Sequence, residues 1–446
     1  MAEFPDAHYL VLSSRLIPGL DGGYTVATLA RARQFAAAGA RPPLLLTVDP
    51  GAVADHAAQR ATFVARGDAA SADLFRNLFD DVVADAAWLR AAARPGERDD
   101  VLEYRAVTAP DGAVVAELPV VHDPDWHLST APIVVPGAGI VDGFGALYAA
   151  WIAHVVAGVR AADGLPVVLV CESRQLGELL VDRLPAGVAL VHTVHTAHLE
   201  PPYDADAPVN ALWRRWLAVA PRFAAVVWPT ARQLADVTAR FGSRPGDAVV
   251  PNAVPVADAS DADRASDHVV VLGRLAPGKR VADILRAWMI VRETVPGAVL
   301  DVVGDGPLRA ELEALAHELG HGASVVFHGA TTEPGAVLER AALLVQATAF
   351  EGQGLAALEA LGHGCPVVSY DVRYGPRELL GTGAGVLVDD ADAAALGEAV
   401  ASLLRDPARR AALAARGREV AADYTPEAVM PRWADVVRHA LERAAG

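Results

Sequence analysis

Short runs of apolar residues alternate with longer stretches of helical spacing through most of the chain. The runs at residues 8–13 and 44–47 flank residues 25–38, which have the spacing of a helix that stops at Gly39. Continuous apolar runs, unlike alternating ones, are typical of parallel strands that helices cover on both faces. Further strands of this kind are predicted at residues 167–170, 188–194 and 224–228. The first half therefore reads as an α/β unit built around a parallel sheet.

The same rhythm begins again after Pro251 and predicts a second sheet. Polar residues 255–266 have the composition of an interdomain linker, and residues 426–445 have the spacing of a final helix. The second set of strands is predicted at residues 269–272, 299–303, 325–328, 343–346, 367–370 and 385–388. Two doubly wound halves with a cleft between them follow, and such sheets bind ligands at the carboxyl ends of their strands.

Residues 93–136 break this rhythm. Two short runs lie on either side of the turn Asp111-Gly112, which predicts an antiparallel hairpin inserted in the first half. The insertion is either a structural flap or a surface for binding an acceptor or for oligomerisation. The sequence leaves both interpretations open.

Composition narrows the class of protein. A chain of 446 residues, 53% hydrophobic and 21% charged, is long enough for two globular cores. Lys and Arg number 38 against 55 Asp and Glu, and the net charge of −17 argues against nucleic acid as a partner. Two cysteines indicate a reducing compartment. With no secretory signal and no apolar stretch near the roughly 18 residues of a membrane span, a cytoplasmic protein is expected.

A pair of cations follows the first strand of the second half. Arg274 and Lys279 lie in a loop at the carboxyl end of that strand, where two fixed charges could hold a diphosphate. The alternative is a solvated surface pair. Residues 304–307, Gly-Asp-Gly-Pro, form a turn from a strand into a helix, for which turn chemistry alone is a sufficient explanation.

A third element carries two carboxylates. Glu351 lies in the loop after a strand, and Glu359 lies about two turns into the helix that follows. The backbone N–H groups of Gln353, Gly354 and Leu355 form a candidate anion site at the helix start. Carboxylates there suit hydrogen bonds from sugar hydroxyls, although Glu351 could simply cap the helix.

Three histidines close a strand of the first half, at His192, His195 and His198. On a strand, a spacing of three places neighbours on opposite faces, so one metal ion cannot easily collect all three. We therefore predict no metal site, and His192 is expected to be a packed core residue.

Together these motifs resemble a known family. An Arg-x4-Lys loop, a Gly-Asp-Gly-Pro turn and a Glu-x7-Glu element, each after a strand and in this order, are similar to the retaining glycosyltransferases of family 4. The resemblance covers residues 249–388 and extends more loosely to both ends. The antiparallel insertion, Tyr374-Gly375-Pro376 and the histidine-rich strand end resemble the subgroup that adds N-acetylglucosamine to serine-rich proteins or to poly(ribitol phosphate).

The resemblance implies the GT-B fold, in which two Rossmann-like domains enclose the active site. It places an N-terminal acceptor domain at residues 1–250, with the β-rich insertion at about 93–136. A nucleotide-sugar-binding domain is expected at residues 251–425, and a helix at residues 426–446 is expected to pack back on the first domain.

Roles for individual residues also follow from the resemblance. Arg274 and Lys279 would bind the diphosphate and stabilise the leaving nucleotide, Glu351 would contact the donor sugar, and Glu359 would contact the ribose. Either His195 or His198 would touch the sugar, and His195 is favoured. The other donor-binding candidates are Gly22, Gly23, Phe327, His328, Gly352, Gln353, Gly354 and Leu355.

The implied reaction is retaining, metal-independent transfer of N-acetylglucosamine or glucose from a UDP-sugar to a hydroxyl of a polypeptide, polymer or small molecule. The nucleotide sugar is a substrate, so no separate cofactor is expected. Two alternatives remain, a UDP-sugar 2-epimerase on the same fold and a non-catalytic partner that binds acceptor for another transferase. Homo-oligomerisation through the insertion is also open.

Overall fold

The computed structural model describes residues 3–20, 22–257 and 267–445, so residues 258–266 of the predicted linker lie outside it. Two parallel sheets form the centres of two lobes. The sheet of the first lobe contains β1 (His8–Ser13), β2 (Leu44–Thr47), β3 (Phe75–Asn77), β8 (Val167–Cys171), β9 (Val188–Thr193), β10 (Ala225–Trp228) and β11 (Asp247–Val249). The sheet of the second lobe contains β12 (His268–Leu272), β13 (Val299–Val303), β14 (Val325–Gly329), β15 (Leu343–Gln346), β16 (Val367–Tyr370) and β17 (Val386–Val388).

Both sheets have the strand order of a Rossmann fold. The first is ordered β11-β10-β9-β8-β1-β2-β3 and the second β14-β13-β12-β15-β16-β17, with every pair parallel. In each sheet the order reverses beside the first strand, between β1 and β8 and between β12 and β15. A crevice outside the carboxyl ends of the strands opens at such a reversal. The predicted architecture of two Rossmann-like halves is confirmed.

The insertion is an antiparallel sheet attached to the first lobe. It contains β4 (Tyr104–Thr108), β5 (Val114–Pro119), β6 (Ile133–Val135) and β7 (Gly139–Val141). The turn between β4 and β5 places Gly112 at a φ of 86°, a conformation that favours glycine. The sheet continues beyond residue 136, because β7 pairs with β6.

Sixteen α-helices of the described residues cover the two parallel sheets. They are α1 (Gly23–Ala37), α2 (Val53–Ala65), α3 (Leu78–Ala84), α4 (Ala87–Ala92), α5 (Gly143–Asp163), α6 (Arg174–Leu180), α7 (Ala211–Val219), α8 (Ala231–Phe241), α9 (Val281–Thr294), α10 (Arg309–Glu318), α11 (Pro334–Arg340), α12 (Leu355–Gly362), α13 (Pro376–Leu380), α14 (Ala393–Arg405), α15 (Pro407–Ala422) and α16 (Pro426–Ala445). Each sheet has an apolar cluster on both faces, as expected for strands that are apolar throughout.

Helix α5 is long and apolar. Within the described residues it is the one helix whose length and composition would allow it to cross a membrane, with a mean hydropathy of 1.3. Trp151, Ile152 and Val155 on one side of it are fully buried in the core of the first lobe. A helix that is buried in a protein core in this way can be as apolar as a membrane-spanning helix.

The last helix leaves the second lobe and packs on the first. Trp433 of α16 lies 5.2 Å from Phe35 of α1, ring centre to ring centre. The guanidinium of Arg31 lies 5.1 Å above the same indole ring. Val429, Met430 and Val437 are buried in the same cluster, so α16 completes one face of the first lobe.

Candidate active site between the two lobes

The second lobe contributes two loops at the reversal of its strand order. The loop after β12 carries Arg274 and Lys279, which line a shallow hollow together with the end of β15. The loop after β15 is fastened to it, because the N–H of Ala349 donates to the carbonyl of Gly278 over 2.8 Å. Lys279 Nζ lies 2.5 Å from Glu351 Oε1. The structure thus places the two predicted cations in one hollow, the second-lobe hollow, and pairs the predicted carboxylate Glu351 with Lys279 beside it.

Glycines allow the loop after β13 to approach the loop after β12. A Cβ on Gly304 would lie 1.8 Å from the carbonyl oxygen of Gly273, and one on Gly306 would lie 2.4 Å from that of Leu275. No side chain fits at either distance. The Gly-Asp-Gly-Pro turn therefore packs directly against the backbone of the loop that carries Arg274.

Helix α12 follows directly after the loop of Glu351. Gly354 precedes it with a φ of 87°, and the first N–H groups of a helix have no partner within it. Helix α1 of the first lobe begins at Gly23, directly after Gly22, and a Cβ on Gly23 would lie 3.5 Å from Leu355 Cδ1. Two helix N-termini, each with a partial positive charge, meet where the lobes face each other.

His195 lies on the opposite side of this contact. A Cβ on Gly352 would lie 2.3 Å from the carbonyl oxygen of His195, so the loop of Glu351 touches the end of β9 directly. The His195 ring lines a cavity of about 390 Å³, the first-lobe hollow. Its other lining residues include Arg15, Tyr24, Glu172, Arg174 and Trp213.

His198 has a different environment. It is completely buried and stacks on Tyr374 of the second lobe, with 5.9 Å between ring centres. Neither ring nitrogen has a hydrogen-bond partner among the described residues, and burial lowers the pKa of His198 to about 4. Of the two candidate histidines, the structure therefore brings only His195 into a cavity.

Glu172 was missed by the sequence reasoning. This carboxylate follows β8 at the strand-order reversal, is fully buried, and accepts hydrogen bonds from Arg31, Thr193 and His195. Burial alone would raise its pKa, but the charges and hydrogen bonds of Arg31 and His195 lower it overall. The one available signal was a charged residue directly after an apolar strand.

Gln353 has a structural role in addition to its backbone N–H. Its side-chain oxygen accepts from the backbone N–H of Asn252 over 2.7 Å and from Asn252 Nδ2 over 2.9 Å. Asn252 Oδ1 in turn accepts from Arg31 over 2.8 Å. The side chain of Gln353 therefore joins the lobes, and only its backbone remains for a ligand.

Glu359 faces the other end of the gap between the lobes. It lines a cavity of about 120 Å³ with Ala27 and Ala30 of α1 and with Leu355. Burial raises the pKa of Glu359 to about 7. No side-chain partner is found for it in the described parts of the chain, so its carboxylate can receive hydrogen bonds from a ligand.

Phe327 and His328 lie on the edge strand β14, two strands from β12. At about 4.8 Å per strand, that is roughly 10 Å from the loop of Arg274. His328 Nε2 lies 2.7 Å from Asp301 Oδ1, and both line a cavity of about 510 Å³. Phe327 and His328 thus lie outside the second-lobe hollow, in a neighbouring part of the same lobe.

A second contact joins the lobes beside the histidine strand. Arg373 donates from Nε and Nη2 to the two carboxylate oxygens of Asp236 on α8, each over 2.6 Å. The hydroxyl of Tyr374 donates to Asp236 over 2.6 Å.

No group of three or more His, Cys, Asp or Glu in residues 3–20, 22–257 and 267–445 is arranged to hold a metal ion.

Known protein sequences are similar to this chain mainly in its second lobe. Residues 258–420 match the model of glycosyl transferases group 1. A poly(glycerol-phosphate) alpha-glucosyltransferase of Bacillus subtilis is 30% identical over 39% of this chain and 26% of its own length. A poly(ribitol-phosphate) alpha-N-acetylglucosaminyltransferase of Staphylococcus aureus is 24% identical over 36% and 33%. The matched part of this chain thus spans about a quarter to a third of these relatives.

Solved structures match almost the whole chain. A variant of S. aureus TarM, crystallised with fondaparinux, alpha-GlcNAc-glycerol and UDP, has a TM-score of 0.80 at 15% identity, over 97% of this chain and 99% of its own. The pneumococcal O-GlcNAc transferase GtfA, in complex with UDP and GlcNAc, has a TM-score of 0.73 at 15% identity, with the same coverage. These matches confirm the predicted GT-B fold.

Proposed function

We propose that the chain is a retaining glycosyltransferase that moves a hexose or N-acetylhexosamine from a UDP-sugar to a hydroxyl group, a proposal that the match of residues 258–420 to the model of glycosyl transferases group 1 supports. The observation that carries the proposal is that Arg274 and Lys279 line one hollow and that Glu351 pairs with Lys279, while the His195 carbonyl of the first lobe contacts the loop of Glu351 at Gly352. Two cations and a carboxylate suit a diphosphate joined to a sugar.

The diphosphate would lie between the cations and the two helix N-termini. Arg274, Lys279 and the first N–H groups of α12 supply positive charge there, which is the role a divalent cation has in other transferases. Entry of the donor would replace the contact between Lys279 and Glu351, so that Lys279 binds phosphate and Glu351 accepts from sugar hydroxyls. We accordingly propose catalysis without a metal ion or other cofactor.

In the proposed reaction the acceptor hydroxyl attacks the anomeric carbon on the face from which the nucleotide leaves. The bond between that carbon and the phosphate oxygen breaks, the new glycosidic bond forms, and the hydroxyl proton passes to the departing phosphate. Arg274 and Lys279 stabilise the negative charge that develops on this leaving group. Contact between the lobes excludes water, which limits hydrolysis of the donor.

The acceptor would enter through the first-lobe hollow, which opens beside His195 and has room for several sugar or polyol units. Arg15 and Arg174 lie among its lining residues, so an acceptor with phosphate groups is compatible with it despite the net charge of −17. Relatives that glycosylate poly(glycerol phosphate) or poly(ribitol phosphate) support the same acceptor class.

Thermal stabilisation by nucleotide tests the proposal. UDP, UDP-glucose and UDP-N-acetylglucosamine should each raise the melting temperature, since a ligand at 100 times its Kd adds about 2.7 kcal/mol to the free energy of unfolding. The double variant Arg274→Ala/Lys279→Ala should lose this shift. No stabilisation of the wild type by any nucleotide would favour a non-catalytic acceptor-binding partner. Epimerised UDP-sugar, formed without acceptor, would favour the 2-epimerase.

A further inference from the structure

The Glu172 carboxylate determines which His195 nitrogen carries a proton. His195 Nε2 lies 2.6 Å from Glu172 Oε2, which is a hydrogen-bond distance. An ionised carboxylate can only accept hydrogen bonds, so the imidazole must be the donor in this contact. Arg31, paired with the other carboxylate oxygen, and Thr193, which donates to the same oxygen as His195, both favour the ionised form.

The second nitrogen of the same ring is oriented differently. Among the described residues, His195 Nδ1 has no hydrogen-bond partner, yet it is not fully buried. Both ring nitrogens of His198, in contrast, are fully buried and without a partner. The ring of Tyr24 packs edge-on against His195 at 5.0 Å and limits rotation of the imidazole. Because His195 lines the first-lobe hollow, Nδ1 is the nitrogen that a ligand can reach.

We propose that Glu172 is a positioning residue that keeps the proton of His195 on Nε2 and so presents Nδ1 as a hydrogen-bond acceptor to the reacting sugars. With its proton on Nε2, the imidazole then accepts at Nδ1 from a hydroxyl of the donor sugar or of the incoming acceptor. The inference rests on the proposed function for what His195 touches, whereas its protonation is a property of the protein alone.

Glu172 also connects this histidine to the second lobe. Arg31 bridges Glu172 and Asn252, and the Asn252 amide bonds Gln353 at the start of α12. Glu172 therefore contacts the His195 ring directly and reaches the start of α12 only through two further side chains. Its position suits the alignment of a sugar held by both lobes.

Nitrogen NMR on the wild-type protein gives a direct test. In protein labelled with ¹⁵N-histidine, the two ring nitrogens of each neutral imidazole have different shifts according to which is protonated. The His195 signals, assigned by their loss in His195→Asn, should show protonated Nε2 and unprotonated Nδ1 at neutral pH. The opposite tautomer in the wild type would overturn the proposal, whether or not the protein proves to be a transferase.

Activity of Glu172→Gln gives the second test. An amide can donate as well as accept, so it no longer specifies the tautomer, and kcat should fall about 10- to 100-fold, as for lost orienting partners of functional histidines. Stabilisation by UDP should remain, since Glu172 does not line the second-lobe hollow. Asp80→Asn is the matched control, because Asp80 likewise binds a histidine and an arginine, His56 and Arg60, away from the lobe contact.

A double variant separates positioning from folding. If Glu172 acts through His195, then Glu172→Gln should change kcat less than about twofold in the His195→Asn background. An undiminished loss in that background would contradict the proposal and assign Glu172 a structural role. If Glu172→Gln does not fold, the tautomer of His195 in the wild-type protein still tests the proposal.

Discussion

Lys279 and Glu351 form a contact that a donor has to rearrange. Substitution of Lys279 by alanine removes the charge that would stabilise the leaving phosphate, and we expect kcat to fall about 100-fold or more. Arg286→Ala is the matched control, because it removes an exposed cation of the same lobe whose one ion pair within the described residues is with Asp283 on its own helix. Surface pairs of this type contribute about 0–1 kcal/mol. Equal rates for both variants would contradict the proposed role of Lys279.

The raised pKa of Glu359 makes stability depend on pH. Its carboxyl binds a proton up to about pH 7 in the folded protein, but only up to its ordinary pKa of about 4.3 when unfolded. Stability from this group is therefore lost as the pH rises through that interval. Glu359→Gln cannot ionise, and it should be more stable than the wild type by about 1–3 kcal/mol at pH 8 and show no such gain at pH 4.

Denaturant unfolding of both proteins across this pH range measures the effect. A constant difference between the two would show that Glu359 does not titrate in a buried position. Addition of UDP should remove the pH dependence if ribose hydroxyls donate to the carboxylate, since hydrogen bonds to the charged form lower a raised pKa.

Single residues of the site differed in how well the sequence revealed them. Arg274, Lys279 and Glu351 follow apolar strands in a recognisable order, and the structure places them together. Glu172 also follows a strand, but its partners Arg31 and His195 lie 141 and 23 residues away. Only the strand order brings them together, so no local spacing could indicate the contact.

At the scale of elements, one glycine sets the distance between the lobes. Gly352→Ala would place a methyl group 2.3 Å from the His195 carbonyl and force the loop of Glu351 away from β9. We expect a loss of about 1–3 kcal/mol in stability, as for other overpacked contacts, and at least a tenfold lower kcat. Gly297→Ala in the same lobe meets nothing within 4 Å and serves as the control. Thermal melts and initial rates of the two variants measure these effects.

Elements with long apolar runs were well predicted. Strands β13, β15 and β16 and helix α16 have the expected bounds, because burial on both faces leaves an uninterrupted run. Strands β3, β6, β7 and β11 were missed. Each has three residues, and Phe75–Asn77 contains an arginine and an asparagine. A strand so short is defined by its neighbours in the sheet, and no periodicity can develop within it.

At the scale of the whole molecule, the contact of Asp236 with Arg373 and Tyr374 limits how far the lobes can separate. Burial would raise the pKa of Asp236, but hydrogen bonds from Arg373 and Tyr374 lower it overall, so this contact weakens as the pH falls. Asp236→Asn should open the gap, with a larger radius of gyration in solution scattering. Hydrogen exchange in α8 should increase about tenfold, as for the loss of one charged hydrogen bond of about 1.5 kcal/mol or more.

A surface pair provides the comparison for this variant. Asp182→Asn removes an ion pair with Arg222 that is about half exposed and lies within the first lobe. Scattering and exchange should then match the wild type. An unchanged radius for Asp236→Asn would contradict the expected role of this contact in limiting the separation of the lobes.

The return of α16 to the first lobe has a consequence for synthesis on the ribosome. Phe35 and the other apolar residues on that face are translated nearly 400 residues before Trp433, which covers them. The nascent first lobe emerges with this surface uncovered and must wait for the whole second lobe to be made. During that interval we expect chaperones to bind the exposed surface. Chains that end before residue 426 never cover it and are expected to aggregate.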